Sequence, residues 1–172
     1  MRCAYIAIMD RTTNLLGALA LGLTDRIQAG LKQVLDRSGE SAAAIIVLGY
    51  APGLSVETLR QVLERSHPGT VRLIDRLEQD GLVERREARD GRAVALHLTR
   101  KGIKTREALM AQRLDTLEQA LQGLSAQDRK ILGELLAKVL TNLPDSEMSK
   151  HNICRLCSVP TCEECPIPGN AV

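Results

Sequence analysis

Apolar residues recur at steps of three and four along the first long segment of the chain, between Thr13 and Asp36. An α-helix completes one turn in about 3.6 residues, so this spacing places the apolar side chains on one face of a long amphipathic helix. The positions on that face are Leu16, Ala20, Leu23, Ile27, Leu31 and Val34. The next run, SAAAIIVLG at residues 41–49, is apolar on all sides and fits a buried strand or a buried helix; its alanines favour a helix.

Two short helices followed by a hairpin are predicted in the middle of the chain. Ser55 and Ser66 are suited to accept a hydrogen bond at the start of a helix, and Pro68 is tolerated in the first helical turn. Gly81 is suited to the left-handed position that ends the second helix. Two strand-like runs then flank the letters RDGR, whose Asp-Gly pair is typical of a tight hairpin turn.

Two further amphipathic helices are predicted before the composition changes. Thr99 and Ser125 are suited to begin them, and each is followed by a leucine-rich stripe with helical spacing. Around residues 142–150 the chain becomes polar, which predicts the end of the domain. We therefore expect a helical domain at residues 11–143 and a cysteine-rich C-terminal tail at residues 144–172.

The composition restricts the kind of protein. There is no Phe or Trp, so the core must be built from aliphatic side chains, which favours helices packed on helices. The net charge is only +2 with 26% charged residues, so any nucleic-acid binding must come from local placement of basic groups. No apolar run approaches the roughly 18 residues of a membrane span, and the early run LLGALALGL lacks the flanks of a secretory signal. These features predict a cytoplasmic protein without a membrane partner.

The predicted order of helix, turn, helix and hairpin is the layout of a winged helix-turn-helix. In that layout the second helix lies in the major groove of DNA and the hairpin reaches the neighbouring backbone or minor groove. Arg72 and Arg76 lie off the apolar face of the second helix, and Arg89 and Arg92 lie near the tip of the wing. Charged residues on an exposed surface are usually in contact with water and have no further role. The prediction of a winged helix-turn-helix therefore rests on the order of the elements and not on their charge.

The segment TVRLIDRLEQDGLVERREARDGRAVALHLTRKG, residues 70–102, resembles the DNA-binding segment of the multiple antibiotic resistance regulator (MarR) family. Members typically show a D-R-L-x-x-x-G-L-V-x-R run, a wing with D-x-R, and then L-T-x-x-G, and all three occur here in that order. The resemblance implies a mainly α fold with a small β-hairpin wing. The DNA-binding lobe would span about residues 55–102, with dimerisation helices at about residues 12–36 and 100–143.

The same resemblance implies a function. Family members are typically homodimers in which each subunit offers one winged helix to half of a pseudo-palindromic operator in double-stranded DNA. We therefore expect this protein to be a repressor and not an enzyme. Many relatives also bind a small aromatic effector, for which a chain without Phe and Trp is poorly equipped; an aliphatic effector, or sensing elsewhere, is then expected. Asp90 would support the wing arginine. The residues placed at DNA-contacting positions are Ser66, His67, Thr70, Arg72, Arg76, Arg89 and Arg92.

Four of the five cysteines lie close together in the tail, with the spacing C-x2-C-x4-C-x2-C. Two CxxC turns supply the four thiolates that suit zinc or an iron–sulfur cluster, and the spacing does not decide between them. Reversible disulfides or an inert tail are the alternatives, and His151 is a further candidate ligand. The cluster leaves two other functions open: an iron–sulfur redox or electron-transfer protein, and a zinc-stapled protein-interaction module. The clustered cysteines are Cys154, Cys157, Cys162 and Cys165.

Overall fold

A computed structural model describes residues 10–37, 39–87, 94–158 and 165–167 of the chain. It confirms the predicted fold class: a mainly helical protein with one antiparallel β-hairpin. None of the described helices combines the length and the apolar character that a membrane span requires. In chain order the elements are α1 Arg11–Val34, α2 Gly39–Tyr50, α3 Val56–Val62, α4 His67–Gln79, β1 Val83–Glu87, β2 Val94–Leu98, α5 Arg100–Ala120, α6 Ala126–Thr141 and α7 Glu147–Ile153.

Four helices begin at the hydroxyl residues that the sequence predicted. The side chains of Ser55, Ser66 and Thr99 each accept a hydrogen bond from the backbone N–H three residues further on. Ser125 does the same and forms a reciprocal capping box with Asp128. Each such cap stabilises its helix by about 0.5–2 kcal/mol, because it satisfies a backbone donor that has no partner inside the helix.

Helix α2 is the central element of the core. Residues 41–48 are all buried, and the helix packs against α1, α5 and β2. This enclosure explains why the run is apolar on every side, and the structure confirms that it is a helix. A helix surrounded by other elements has no face left for polar residues.

The β-hairpin is extended by a short third segment. Strands β1 and β2 pair in antiparallel register from Val83 opposite Leu98. On the other side of β2, the backbone N–H of Leu96 donates to the carbonyl of Leu54 over 2.9 Å. The base of the wing is therefore tied to the chain just before α3, whereas the predicted turn at residues 88–93 lies outside the described residues.

Two helices leave much apolar surface uncovered. Helix α1 packs against α5, but its buried residues, Gly30 and Leu31, lie only in its last turns. Helix α6 has no buried residue along its whole length, although it carries Ile131, Leu135 and Val139. The predicted apolar stripes are thus present, but only part of the α1 stripe contributes to the core of a single chain.

The tail does not extend away from the domain. After a short break at residues 142–146 the chain forms α7, a helix that the sequence did not predict, and α7 packs against α3. Leu156 contacts the main hydrophobic core, and Ile167 is only 3% exposed. The described parts of the tail are therefore integrated into the fold.

Candidate nucleic-acid interface

A tight turn joins α3 to α4 and sets the direction of the second helix. Glu64, with a φ of 51°, occupies the left-handed region that a residue other than glycine rarely adopts. Across the turn, the N–H of Arg65 donates to the carbonyl of Arg60 over 3.1 Å, and the Arg60 guanidinium donates back to the carbonyl of Arg65 over 3.2 Å. These bonds hold the end of α3 and the start of α4 in one compact unit.

Helix α4 is buried on one side and exposes arginines on the other. Leu73, Ile74 and Leu77 are almost completely buried and anchor the helix on the core. Arg72 and Arg76 are exposed. No ion pair among the described residues involves either arginine, whereas the nearby arginines of α3 and β1 are paired with carboxylates. Arg72 and Arg76 are therefore the basic groups of α4 that are available to an anionic ligand.

The start of α4 also faces solvent. Ser66 and His67 are exposed, and the Ser66 side chain accepts from the backbone N–H of Gly69 over 3.3 Å. His67 Nδ1 lies 3.5 Å from Glu57 Oε2. The pKa of Glu57 is lowered chiefly because Arg60 donates hydrogen bonds to its carboxylate, and His67 acts in the same direction. A helix N-terminus with exposed polar side chains is suited to a phosphate.

The structure corrects the prediction for Thr70. This side chain is completely buried, and its hydroxyl donates to the carbonyl of Ser66 over 3.2 Å. It faces the inside of the helix-turn-helix because position 70 is on the same side of α4 as Leu73 and Leu77. Thr70 thus packs the first turn of the helix and does not lie on the exposed face of α4 that carries Arg72 and Arg76.

Sequence reasoning missed the residue that connects the wing to α4. Arg85, on β1, donates to Asp75 Oδ1 over 2.6 Å and also to Glu78 on the next turn of the helix. Burial lowers the pKa of the Arg85 guanidinium, but these two carboxylates outweigh that effect and the pKa is raised. The sequence contained a hint, because Asp75 and Arg85 stand at two defined positions of the family motif.

The predicted contacts at the tip of the wing come from the sequence alone. Arg89, Asp90 and Arg92 lie outside the described residues, so their roles stay predictions. On the described part of β1, Arg86 is paired with Glu84 of the same strand. The candidate wing arginines therefore stay Arg92, which stands in the D-x-R motif, and Arg89 beside it.

The cysteine cluster is described in part. Cys154 and Cys157 are half-buried in a turn in which the N–H of Cys157 donates to the carbonyl of Cys154 over 2.8 Å. Burial is the main reason why the pKa of Tyr50 is raised to about 12, and the nearby charges of these two cysteines act in the same direction. Cys165 is also half-buried and His151 is exposed, while Cys162 lies outside the described residues. Within the described part of the chain, no three His, Cys, Asp or Glu side chains are grouped to hold one metal ion.

A cavity of about 460 Å³ lies between α1 and α2, and Lys32, Asp36 and Arg37 are among its lining residues. A second cavity, of about 370 Å³, shares Gln28 with the first and is lined in part by Leu156 of the tail. Only the second cavity reaches the DNA-binding lobe, through Leu63. Both cavities are candidate positions for a small ligand.

Together, the helix-turn-helix, the hairpin and the outward arginines define the class of protein: a winged helix-turn-helix. Comparison with known proteins identifies the family. The sequence profile of the MarR family matches residues 35–93. The HTH-type transcriptional regulator BilQ of Clostridium symbiosum is 32% identical over 112 residues, which cover 63% of this chain and 78% of BilQ. The chain belongs to the MarR family and is a DNA-binding transcriptional regulator of that family.

Solved structures agree with this fold. A MarR family protein from Bacillus stearothermophilus is 25% identical with a TM-score of 0.66, covering 73% of this chain and 88% of that protein. The S. aureus MepR–DNA complex is similar at 21% identity and a TM-score of 0.59, covering 79% of this chain and 98% of MepR. This second similarity supports the fold alone.

Proposed function

We propose that this protein is a homodimeric, sequence-specific repressor that binds a pseudo-palindromic operator through α4 and the wing. The observation that carries the proposal is the exposure of Arg72 and Arg76 on the outward face of α4, where neither forms an ion pair with a described residue and Arg76 Nε donates only to the backbone carbonyl of Arg72 within that part of the chain. An arginine fork donates two hydrogen bonds to a guanine edge or to a phosphate, so two such groups one turn apart suit a groove of DNA. MepR, whose fold is similar, has been solved in complex with DNA.

The residues at the start of α4 would position the helix on the DNA backbone. Ser66 and His67 are exposed beside the first-turn N–H groups, which favour a phosphate oxygen. His67 also lies near Glu57, so a phosphate that approaches there competes with this carboxylate for the imidazole. Base contacts are then assigned to Arg72 and Arg76, and the predicted minor-groove contact to Arg92.

The uncovered apolar surface supports a dimer. Leu135 on α6 is 53% exposed and Leu143 just beyond it is 54% exposed, while Leu15 and Leu19 of α1 are 50% and 47% exposed. Leaving this many leucines in water is unfavourable by about 25 cal/mol per Å² of apolar surface. A second copy of the chain would cover them, because α1 and α6 of two subunits can pack as a self-complementary interface.

Regulation of operator affinity would act at one of two places. A small molecule could occupy the cavity between α1 and α2, whose lining includes Lys32 and Arg37 and contains no aromatic residue among those described. A metal or redox signal could act at Cys154, Cys157, Cys162 and Cys165. We favour the cysteines, because the first pair directly follows α7, which packs against α3 and whose Asn152 donates to the carbonyl of Val62 over 3.2 Å. Either signal must bind one conformation better than the other to change DNA affinity.

The proposal is tested by binding the full-length protein to DNA from upstream of its own gene, at several salt concentrations, with an unrelated fragment of equal length as control. A specific regulator prefers the upstream fragment by at least about 10³-fold. Equal affinity for both fragments, with the same strong salt dependence, would show that binding is purely electrostatic and would refute the proposal.

A further inference from the structure

The first two tail cysteines lie at opposite ends of one tight turn. The N–H of Cys157 donates to the carbonyl of Cys154 over 2.8 Å, and the N–H of Cys154 donates to the carbonyl of Lys150 over 3.2 Å. A turn closed by a bond between residues i and i+3 keeps their Cα atoms within about 7 Å of each other. A disulfide needs Cα atoms roughly 4.4–6.8 Å apart, so the backbone brings Cys154 and Cys157 into the range of a mutual disulfide.

The turn is held in this conformation by contacts with the helix-turn-helix. The side-chain amide of Asn152 donates to the carbonyl of Val62, the last residue of α3, over 3.2 Å. Arg155, inside the turn, donates from its guanidinium to the backbone and side-chain oxygens of Asn152 over 2.6 and 2.7 Å. Leu156, also inside the turn, packs against the main hydrophobic core. Docking of the tail on α3 therefore fixes the residues that separate the two cysteines.

Both cysteines combine support by the fold with access from solvent. They are thiols in this structure, and each is half-buried, so a small reagent can reach them. Two thiols held in one turn react with each other as an intramolecular pair, which favours them over a second small molecule. Cys154 and Cys157 are thus suited to a dithiol–disulfide exchange that involves no other cysteine of the tail.

We propose that Cys154 and Cys157 form a reversible disulfide by exchange with a low-molecular-weight disulfide of the glutathione type, and that this bond locks the tail in its docked position on α3. The inference deepens the cysteine sensor of the proposed function and rests on it. One thiolate attacks the small disulfide and releases one thiol, and the second cysteine attacks the mixed disulfide and releases the other. The two cysteines lose two electrons and two protons, which the small disulfide takes up as it becomes two thiols.

The docked tail and the disulfide stabilise each other. Docking holds the two cysteines at a suitable separation, so the disulfide forms more readily in a docked tail than in an undocked one. By thermodynamic linkage, the disulfide favours docking by the same factor. Oxidation therefore holds the end of α3 more firmly, and the turn that follows α3 sets the direction of α4.

The first part of the test identifies the pair in the full-length protein. The protein is equilibrated with mixtures of reduced and oxidised glutathione, the remaining thiols are blocked, and tryptic peptides are analysed by tandem mass spectrometry. Trypsin cleaves after Arg155, so a disulfide between Cys154 and Cys157 joins two separate peptides. We expect joined peptides in the wild type and in Cys165→Ser, which removes another half-buried thiol of the tail, and their loss in Cys157→Ser.

The second part tests the connection to α3. Asn152→Ala removes the bond to Val62, and Asn142→Ala is the control, because the Asn142 side chain donates to Lys138 of its own helix over 3.1 Å. We expect the equilibrium constant for the disulfide to fall by about fivefold or more in Asn152→Ala and by less than about twofold in Asn142→Ala. In the wild type, oxidation should slow amide hydrogen exchange in residues 56–63 by about fivefold or more.

Three results would overturn the proposal. The first is a wild-type protein that forms no disulfide at Cys154 in any of the mixtures, or one in which Cys154 pairs chiefly with Cys162 or Cys165. The second is an equal equilibrium constant in the wild type and both asparagine variants. The third is exchange in α3 that oxidation leaves unchanged. None of these results bears on the comparison of upstream and unrelated DNA, so failure of the lock and failure of the proposed repressor are distinguished.

Discussion

Arg85 Nη2 lies 2.6 Å from Asp75 Oδ1, and this contact joins the first strand of the wing to the middle of α4. Glu78, one turn further along the helix, binds the same guanidinium. One arginine therefore fixes the two elements that we propose to contact DNA. The three side chains are partly exposed, so we assign the network a geometric role more than a large contribution to stability.

Replacing Arg85 with alanine should weaken operator binding more than it weakens the fold. We expect a loss of about 1 kcal/mol in unfolding free energy and a larger loss in DNA affinity, because the wing is no longer held against α4. The matched control is Arg86→Ala, which removes the next arginine along β1; within the described part of the chain Arg86 pairs with Glu84 of its own strand. Urea unfolding and fluorescence anisotropy with labelled operator check this; equal affinity losses in both variants would contradict it.

Arg72→Ala and Arg76→Ala should each weaken operator binding by about 1–3 kcal/mol. An arginine that reads a base also loses sequence preference at one position, whereas one that binds phosphate lowers the salt dependence by about one counterion. Arg129→Ala is the control, because it removes the same charge from α6, where Arg129 pairs with Glu118 over 2.7 Å. Binding that is unchanged in both α4 variants would exclude these side chains from the interface.

Leu135→Gln should weaken the dimer, and Glu134→Gln should not. Both variants place glutamine at adjacent positions of α6, but only the first removes an exposed leucine. Because a two-fold interface contains each position twice, we expect a loss of about 2–4 kcal/mol in dimer free energy. Sedimentation at several protein concentrations measures it. A Leu135→Gln variant with the wild-type association constant would place the interface elsewhere.

Gly102→Ala should destabilise the protein strongly. A Cβ at this position would lie 2.0 Å from the carbonyl oxygen of Leu82, which is backbone and cannot move aside as a side chain can. We expect a loss of about 2 kcal/mol or more in unfolding free energy. Gly17→Ala, in the exposed first half of α1, is the control: nothing lies within 4 Å of the added atom, so a gain of about 0.5–1 kcal/mol is expected. Urea unfolding of both variants measures these changes. A Gly102→Ala protein as stable as the wild type would contradict the close approach of residue 102 to the Leu82 carbonyl.

The sequence by itself determined the order of the elements from α1 to α6 and the starts of four of these helices. Ser55, Ser66, Thr99 and Ser125 begin helices because a cap involves a hydroxyl and a backbone N–H only three residues away. The apolar spacing indicated the buried face of α4, with Ile74 and Leu77 in the core, but in α6 the apolar face is exposed in the single chain. The order of helix, turn, helix and hairpin, together with the motif in residues 70–102, was sufficient to indicate the family.

Only the tertiary structure decided the contacts between distant parts of the chain. The bond from Asn152 to Val62 joins residues 90 positions apart, so no local pattern predicts that the tail docks on α3. Thr70 was predicted at the DNA surface and is buried, because the packing of α4 on the core, and not its own residue type, decides which side faces water. Arg85 finds its two carboxylates for the same reason: local hydrogen bonds follow from sequence spacing, whereas pairing across elements follows from how they pack.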